Sequence, residues 1–324
     1  MQKRQLGYTD LQLTTIGLGT WAMGGPWEFG WGQQDDNQAI GAILTALDLG
    51  INWIDTAAVY GCGHSEELIA KAIKQTSKKP LITTKCGLLW DNQRKKINCL
   101  KKDSIISECH NSLKRLDIDV IDLYQIHWPI PDEDIEQAWE AMAILLEQGK
   151  VRYIGVSNFN IEQIKRVQAI YPVASLQPPY SMIHREVEDQ MLEFCAENNI
   201  GVIAYSPMQR GLLTGKFNHE RLANLPTDDH RRTNHDFQEP QFSATLELVE
   251  QLREIAQRNG KPLAQLAINW VFRRTEVTSA IVGARNPDQI KETVSAGDWN
   301  LAKDDIEKIE YLLKKRQEKL NGEQ

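Results

Sequence analysis

Long apolar runs and basic tracts are both missing from this sequence of 324 residues. No apolar stretch approaches the ~18 residues of a membrane-spanning helix, and residues 1–7 contain no apolar signal segment. The formal net charge is −7, which argues against nucleic acid or an anionic membrane as a partner but leaves room for a local basic pocket. With 41% hydrophobic and 25% charged residues, the composition is that of an ordinary globular protein.

Cysteine is scarce, and its spacing matches neither a disulfide framework nor a zinc site. The count of five is odd, and no two cysteines form a Cys-x-x-Cys pair. The sequence also lacks a His-x-x-x-His spacing and a Ser-His-Asp signature. We therefore predict a reduced, cytoplasmic protein that holds no metal ion.

Apolar segments of strand length alternate with segments of helical period along almost the whole chain. A short hairpin is predicted at residues 4–15. Eight strands are predicted, at residues 15–21, 51–55, 81–85, 120–125, 153–156, 174–177, 201–205 and 279–282. Helices are predicted at residues 36–49, 65–74, 101–116, 132–148, 161–170, 187–198, 243–258, 262–273, from about 287, and at 303–319.

Eight βα units in one chain favour a closed barrel over an open doubly wound sheet. An open sheet usually carries a glycine-rich dinucleotide fingerprint after its first strand. Here Gly17 and Gly19 are followed by Thr20-Trp21-Ala22, which does not complete that motif. We therefore predict an α/β fold, a (β/α)8 TIM barrel with an N-terminal β-hairpin and an extra C-terminal helix. The barrel is expected to be a single domain over residues 1–324.

One predicted loop, residues 206–242, is much longer than the others. Loops of this length without secondary structure are usually functional lids or disordered segments. It contains several charged residues, among them the run Asp228-Asp229-His230-Arg231-Arg232. A lid over a ligand and a mobile solvated insert are both compatible with this composition.

Four polar side chains stand at or just beyond three successive predicted strand ends. They are Asp55 and Tyr60, Lys85, and His127. In a barrel these strand ends lie side by side at the carboxyl rim, so the four side chains are expected to converge there. Each has a plain alternative, such as an Asp that caps a turn or a surface Lys, but four neighbouring rim positions favour a catalytic site.

The chemistry of these four residues suits protonation of an oxygen that gains negative charge, as in carbonyl reduction by hydride. A Lys ammonium near Tyr60 is expected to lower the pKa of the phenol from its reference value near ~10. Buried Lys85 needs a counter-charge, which Asp55 supplies. His127 is expected to donate a hydrogen bond that orients the carbonyl oxygen.

Around these positions the sequence resembles one known family, the aldo-keto reductases, over nearly the whole chain. Residues 55–66 look like the family's catalytic tyrosine stretch, and Thr84-Lys85 and Ile126-His127-Trp128-Pro129 match its lysine and histidine positions. Residues 208–216 look like the pyrophosphate-binding loop of the bacterial branch similar to general stress protein 69. The resemblance implies a (β/α)8 barrel without a metal ion, in which the long loop after residues 208–216, residues 217–242, folds over a nicotinamide cofactor.

The resemblance also implies which residues contact that cofactor. Ser157, Asn158 and Gln177 match positions that hold the nicotinamide carboxamide, and Tyr205 matches the residue that stacks on the ring. The other implied contacts are Gly19, Thr20, Trp21, Asp55, Ser206, Pro207, Met208, Arg210, Gly211, Leu212, Lys216, Gly283, Arg285, Gln289 and Glu292.

The cofactor is predicted to be NADPH/NADP+, with NADH as a weaker alternative. Many family members have Arg at the position of Gln289 and Asn at that of Thr293, so Arg285 is expected to supply the missing charge for a 2′-phosphate. Arg285 lies in the turn before Asn286 and Pro287, which look like the cap and first residue of a helix. An exposed turn residue without a ligand is the alternative.

The predicted function is NADPH-dependent reduction of an aldehyde or ketone carbonyl, with Tyr60 as proton donor. Trp21, Trp90 and Trp128 stand at or just beyond strand ends, and with Tyr60 and His127 they are predicted to line the pocket of a small carbonyl substrate. Packing of the barrel rim is the alternative for each tryptophan. A non-catalytic, cofactor-sensing regulatory subunit, as in the potassium-channel β subunits, is the main rival, and a metal-dependent barrel hydrolase is a distant third.

Overall fold

The computed structural model describes residues 1–322. The strands are β1 (Lys3–Gln5), β2 (Gln12–Thr14), β3 (Ile16–Gly19), β4 (Trp53–Asp55), β5 (Leu81–Cys86), β6 (Leu88–Trp90), β7 (Lys96–Asn98), β8 (Ile121–Ile126), β9 (Val151–Ser157), β10 (Ser175–Gln177), β11 (Gly201–Tyr205) and β12 (Val277–Gly283). The α-helices are α1 (Asp36–Asp48), α2 (His64–Ile73), α3 (Lys102–Leu116), α4 (Ile135–Glu147), α5 (Ile161–Gln168), α6 (Met191–Glu197), α7 (His219–Ala223), α8 (Gln241–Arg258), α9 (Leu263–Val271), α10 (Pro287–Thr293) and α11 (Lys303–Gly322). Short 3-10 turns lie at Trp21–Met23, Asp132–Asp134, Glu186–Glu188, Gln209–Thr214, His230–Thr233, His235–Phe237 and Val294–Gly297.

Eight strands close into a parallel barrel in the order β3-β4-β5-β8-β9-β10-β11-β12. The barrel closes where Gly283 of β12 pairs with Gly19 of β3. Each predicted strand overlaps one of these eight, so the predicted (β/α)8 barrel is confirmed. The predicted N-terminal hairpin is also present, as the antiparallel pair β1–β2.

The N-terminal hairpin fills the end of the barrel at which the strands begin. Leu6, Leu11 and Leu13 pack there with fully buried Trp53, whose indole N–H donates to the Thr14 carbonyl at 3.1 Å. A Cβ on Gly17 would lie 2.0 Å from the Trp53 ring, so β3 requires glycine at this position. Apolar side chains therefore fill the barrel end at which the strands begin, and the polar side chains at the strand ends lie at the opposite end.

Several of the longer helices bury one apolar face against the outside of the barrel. Helix α3, for example, buries Ile105, Cys109 and Leu113, which recur at the spacing of one helical face. The extra C-terminal helix α11 packs against α8 and buries Ile309. Within residues 1–322 no helix is long and apolar enough to cross a bilayer.

Two parts of the fold were not predicted from the sequence. One is the antiparallel hairpin β6–β7, which follows barrel strand β5. The other is the series of short helices inside residues 206–242, namely α7 and the three 3-10 turns at 209–214, 230–233 and 235–237. Each piece has only three to six residues, which is too short to show a hydrophobic period.

Candidate active site

A cavity of about 560 Å³ opens at the carboxyl ends of the barrel strands. Active sites of TIM-barrel enzymes lie at this end of the fold. The last residues of six strands line the cavity: Gly19, Asp55, Ser157, Gln177, Tyr205 and Gly283. Tyr60, His127 and Trp128, on the loops after β4 and β8, line it as well.

Asp55 and Lys85 form a buried ion pair beneath the floor of the cavity. Lys85 Nζ lies 2.7 Å from Asp55 Oδ2, and the two side chains are 0% and 4% exposed. Nζ also donates to the Thr56 carbonyl at 2.8 Å, while Asp55 Oδ1 accepts from the Thr83 hydroxyl. A buried pair of this kind is stable because each charge has a partner and additional hydrogen bonds.

Tyr60 lies between this ion pair and the cavity. Lys85 Nζ is 5.3 Å from the centre of the Tyr60 ring, which stacks on Trp21 at a centroid distance of 6.3 Å. Within residues 1–322 the Tyr60 hydroxyl donates to and accepts from no other residue. Packing therefore holds the ring, and the hydroxyl remains available to a ligand.

The pKa of Tyr60 differs from the sequence-based expectation. Burial raises it well above 10, and the negative charge of Asp55 raises it further. The Lys85 ammonium, which is bound to Asp55 Oδ2, does not offset these two effects. Tyr60 therefore holds its proton at neutral pH, as a proton donor must.

His127 faces Tyr60 across the same end of the cavity. Their ring centroids are 5.7 Å apart, with the planes at 79°. Burial lowers the pKa of His127 well below 6.5, and the positive charges of Lys85 and Lys96 lower it further. A neutral imidazole has one N–H to donate. Tyr60 and His127 thus offer two uncharged donors to one ligand oxygen.

A chain of polar groups follows the ends of β9, β10 and β11. The Ser157 hydroxyl donates to the Gln177 carbonyl at 2.8 Å, and the Asn158 amide donates to Ser157 Oγ at 3.0 Å. The Tyr205 hydroxyl donates to Asn158 Oδ1 at 2.9 Å, and the Gln177 amide donates to Asp55 Oδ1 at 2.9 Å. The arrangement can hold a planar carboxamide next to Tyr205 and Asp55.

The half of the cavity beyond Tyr205 is rich in positive charge. Five cationic side chains line the cavity there, namely Arg210, Lys216, Arg221, Arg231 and Arg285. Three of them have acidic partners, because Arg210 pairs with Asp236, Lys216 with Glu292 and Arg231 with Asp229. Arg210 Nε is buried without a hydrogen-bond partner among the described residues. An orphaned donor among these cations fits the phosphate groups of a dinucleotide.

The Arg285 guanidinium is already engaged. Its Nε donates to Gln34 Oε1 at 2.7 Å, and its two terminal nitrogens donate to the carbonyls of Trp31 and Gln33. Its backbone N–H donates to Gln289 Oε1 at 2.7 Å. Arg285 is thus half-buried and joins two loops, unlike the exposed turn residue that was the sequence-based alternative. Of the five guanidinium N–H groups, two are left for a ligand.

Two loops form a roof over the cavity: residues 27–34 after β3 and residues 225–235 after β11. Trp31 and Asp229 pair across them in an antiparallel bridge, and the His230 N–H donates to the Gly30 carbonyl at 3.2 Å. The Arg231 guanidinium lies 4.4 Å from the centre of the Trp31 ring. Part of the long loop 206–242 therefore has the position of a lid.

Most of the predicted site residues line this cavity, and a few lie elsewhere. Thr20 is buried below it, with its hydroxyl donating to the Asp55 carbonyl at 3.1 Å, and Leu212 packs in the apolar cluster of the 206–242 loop. Trp90 lines a separate cavity of about 260 Å³ beside Glu108 and Arg115. Its position in β6, rather than at a barrel strand end, separates it from Trp21 and Trp128.

Sequence reasoning missed several residues that line the cavity. They include the aromatic residues Trp27, Phe29 and Trp31, hairpin residues Leu88 and Lys96, and lid residues Arg221, His230, Arg231 and Asn234. The segment 24–32, which places three aromatic residues among four glycines, carried a usable signal of a binding loop. Within residues 1–322 no group of three or more His, Cys, Asp or Glu side chains is arranged to hold a metal ion.

Comparison with known proteins assigns the family. The sequence profile described as the Aldo/keto reductase family matches residues 15–314. Aldo-keto reductase YhdN of Bacillus subtilis (strain 168) is 40% identical over 97% of this chain and 94% of its own length. The NADH-specific methylglyoxal reductase of Escherichia coli (strain K12) is 33% identical over 93% of this chain and 95% of its own length.

A solved structure agrees in both fold and sequence. The glycerol dehydrogenase AKR11B4 from Gluconobacter oxydans superposes with a TM-score of 0.88 and 35% identity, covering 97% of this chain and 96% of its own. The chain belongs to the aldo/keto reductase family and is an NAD(P)H-dependent oxidoreductase.

Proposed function

We propose that this protein reduces aldehyde or ketone carbonyls to alcohols with NADPH, and that Tyr60 is the proton donor. The observation that carries the proposal is the convergence of protonated Tyr60, neutral His127 and the Asp55–Lys85 pair at one end of a single cavity. The cationic other half of the cavity has the donors that a dinucleotide requires.

The chain's own residues then have separate tasks. When bound, a nicotinamide cofactor supplies the hydride. The His127 imidazole orients the substrate oxygen, and the Tyr60 hydroxyl transfers its proton to that oxygen as negative charge develops there. Lys85 offsets the charge of Asp55, whose carboxylate would otherwise oppose negative charge at the oxygen. Trp21 and Trp27 pack against Tyr60 and exclude water from this end of the cavity.

A spectrophotometric assay tests the proposal. NADPH oxidation is followed with a panel of aldehydes and ketones, NADH is used in parallel, and cofactor binding is measured by fluorescence. We expect turnover with several aldehydes that is unchanged by a chelator. Tight NADPH binding with complete inactivity across the panel would favour the regulatory-subunit alternative, and loss of activity on chelation would favour a metal-dependent enzyme.

Asp55→Asn should change the pH dependence of the reaction in a defined direction. Reduction requires protonated Tyr60, so its rate falls as the pH rises through the pKa of that phenol. Burial is the main cause of the raised pKa and Asp55 is the second, so removing the carboxylate should lower the pKa and move the alkaline limb to lower pH. The measurement is kcat against pH with a slow aldehyde, and exposed Asp48→Asn is the control. An alkaline limb that does not move would refute the Asp55–Tyr60 coupling.

NADPH is the preferred cofactor in this proposal, and Arg285 is the proposed 2′-phosphate contact. One relative is named as NADH-specific, so the preference must be argued from this chain's own charges. Arg285 lines the cavity in the turn before α10, whose cap Asn286 accepts from the Gln289 N–H. Two of its guanidinium N–H groups have no partner in the described part of the chain, and the cationic half of the cavity that it lines favours a phosphate dianion.

Arg285→Ala should weaken NADPH binding by roughly 1.5–3 kcal/mol, the range for a hydrogen bond to a charged group. NADH binding should change much less, because NADH has no 2′-phosphate. Gln34→Ala is the matched control, since it removes the two hydrogen bonds between Gln34 and Arg285 but retains the guanidinium group. Fluorescence titration of both cofactors measures the effect. Equal losses for NADPH and NADH in both variants would mean that Arg285 only holds the roof.

We also propose that the protein acts in the cytoplasm as a single domain over residues 1–324. All five cysteines are free thiols in the structure, and three of them are buried. Free thiols are usual in reducing compartments. Thiol titration of the purified protein under native and denaturing conditions would test for the absence of disulfides.

A further inference from the structure

We propose that Lys96 selects substrates, and that the preferred substrate is an aldehyde with a negatively charged group, a carboxylate or a phosphate, away from its carbonyl. This inference rests on the proposed function, because it names the substrate class of the same site. It starts from the positive charge of Lys96. This charge lies in the substrate half of the cavity, which is the part around Tyr60 and His127, and the proposed catalytic step does not use it.

Two aromatic rings, those of Phe29 and Trp27, connect Lys96 to Tyr60. Lys96 lies on hairpin β6–β7 and lines the main cavity. Its ammonium is 5.6 Å from the centre of the Phe29 ring, Phe29 packs on Trp27 at 5.5 Å, and Trp27 packs on Tyr60 at 6.3 Å. The Lys96 charge also contributes to the lowered pKa of His127, which places it within electrostatic range of the reacting carbonyl.

The surroundings of Lys96 are apolar. Trp27, Phe29, Leu88 and Trp128 line the same part of the cavity. The neighbouring carboxylate, Glu28, accepts the Lys96 backbone N–H through its Oε2 at 2.6 Å, so it lies beside Lys96 without pairing with the ammonium. Among residues 1–322 no carboxylate forms an ion pair with Lys96 Nζ. A positive charge beside apolar walls gains most from an anion that enters with the ligand.

The other charges of the cavity do not offer the same opportunity, because they are paired or, like Arg221 and Arg285, line the half that we propose for the cofactor. Asp55 is paired with Lys85, and at the far end Lys216 is paired with Glu292. Arg210 and Arg231 likewise have acidic partners. Lys96 is therefore the cation of the substrate half whose charge a substrate can neutralise, while the rings on either side accept the substrate's apolar part.

The test compares aldehydes that differ in one charge. Reduction of 4-carboxybenzaldehyde is compared with that of benzaldehyde, and glyceraldehyde 3-phosphate with glyceraldehyde, so that carboxylate and phosphate are separate arms. We expect the wild type to have the higher kcat/KM for the charged member of at least one pair. Lys96→Met should lower that charged-to-neutral ratio about tenfold, the low end for a charge-assisted hydrogen bond, mainly through KM.

The charged-to-neutral ratio of kcat/KM is compared because it removes any effect that a substitution has on the reduction step shared by both aldehydes. Loss of the Lys96 charge also acts on His127, but it does so equally for both members of a pair. Lys96→Met retains the backbone N–H that donates to Glu28. Lys96→Arg keeps the positive charge and should restore the preference for the charged aldehyde. Lys95→Met changes the exposed neighbouring residue and should leave that preference unchanged. The preference should also weaken as salt screens the charge.

Two results would overturn the inference: a wild type that prefers the neutral member of both pairs, or a ratio that Lys96→Met does not change. Wild-type inactivity with all four aldehydes would instead refute the proposed function. In that case the role of Lys96 is tested by ligand binding, which can be followed by the fluorescence of Trp27 and Trp128 because both line the cavity. Tryptophan fluorescence should show 4-(hydroxymethyl)benzoate binding about tenfold more tightly than benzyl alcohol to wild type, and equally to Lys96→Met. Equal binding to wild type would count against the inference.

Discussion

Tyr60→Phe is expected to slow carbonyl reduction by at least ~100-fold, the usual scale for loss of a general acid. The substitution removes only the hydroxyl oxygen and retains the ring that packs in the fold. Within residues 1–322 the Tyr60 hydroxyl has no hydrogen-bond partner, and stacking on Trp21 with packing against Trp27 and His127 involves the ring alone. Stability and NADPH affinity should therefore stay close to wild type.

A slow aldehyde must be used in this measurement, so that chemistry rather than cofactor release limits turnover. Tyr311→Phe is the matched control, because Tyr311 is 60% exposed on α11, remote from the cavity. Activity is measured as single-turnover NADPH oxidation, and thermal unfolding confirms that each variant is folded. If Tyr60→Phe kept most of the wild-type rate, the proton donor would be a different group.

Lys85→Met should impair the same step, on the order of 100-fold, and should also destabilise the protein. The substitution leaves the Asp55 carboxylate buried, with only its Oδ1 still hydrogen-bonded by Thr83 and Gln177. Breaking one partner of a buried ion pair costs about 3–5 kcal/mol. The uncompensated carboxylate also opposes negative charge on the substrate oxygen and raises the pKa of Tyr60 further.

The double variant Asp55→Asn/Lys85→Met separates stability from catalysis. It removes both charges, so we expect most of the lost free energy of unfolding to return. Activity should stay low, because no cation remains near the developing oxyanion. Urea unfolding and kcat with a slow aldehyde measure the two properties. Recovery of activity together with stability would show that Lys85 serves only to balance Asp55.

Local patterns in the sequence were sufficient to predict the barrel and the positions of its proposed catalytic groups. Period-2 and period-3.6 segments overlap all eight barrel strands, and the carboxyl ends of parallel strands necessarily meet at one rim. Asp55, Tyr60, Lys85 and His127 do lie together there. Convergence at the rim follows from topology alone, so it required no knowledge of side-chain contacts.

The electrostatics of the site could not be predicted in the same way. The sequence indicated that Lys85 is near Tyr60, but the direction of the pKa shift depends on burial and on which neighbour the ammonium binds. In the fold Lys85 binds Asp55 at 2.7 Å, and burial then raises the pKa of Tyr60. Burial and the choice of ion-pair partner depend on the three-dimensional structure, so they cannot be predicted from the spacing of residues along the sequence.

Sequence patterns therefore predict the closed (β/α)8 barrel, the family, and the residues at its strand ends. The contacts between the loops above the barrel follow only from the tertiary structure. Arg285 joins Gln34 from 251 positions away, Lys96 is brought over Phe29 by a hairpin of three-residue strands, and Trp90 is turned into a separate cavity. Strand positions follow from local periodicity and backbone hydrogen bonding, whereas contacts between loops depend on the packing of distant segments that no local pattern encodes.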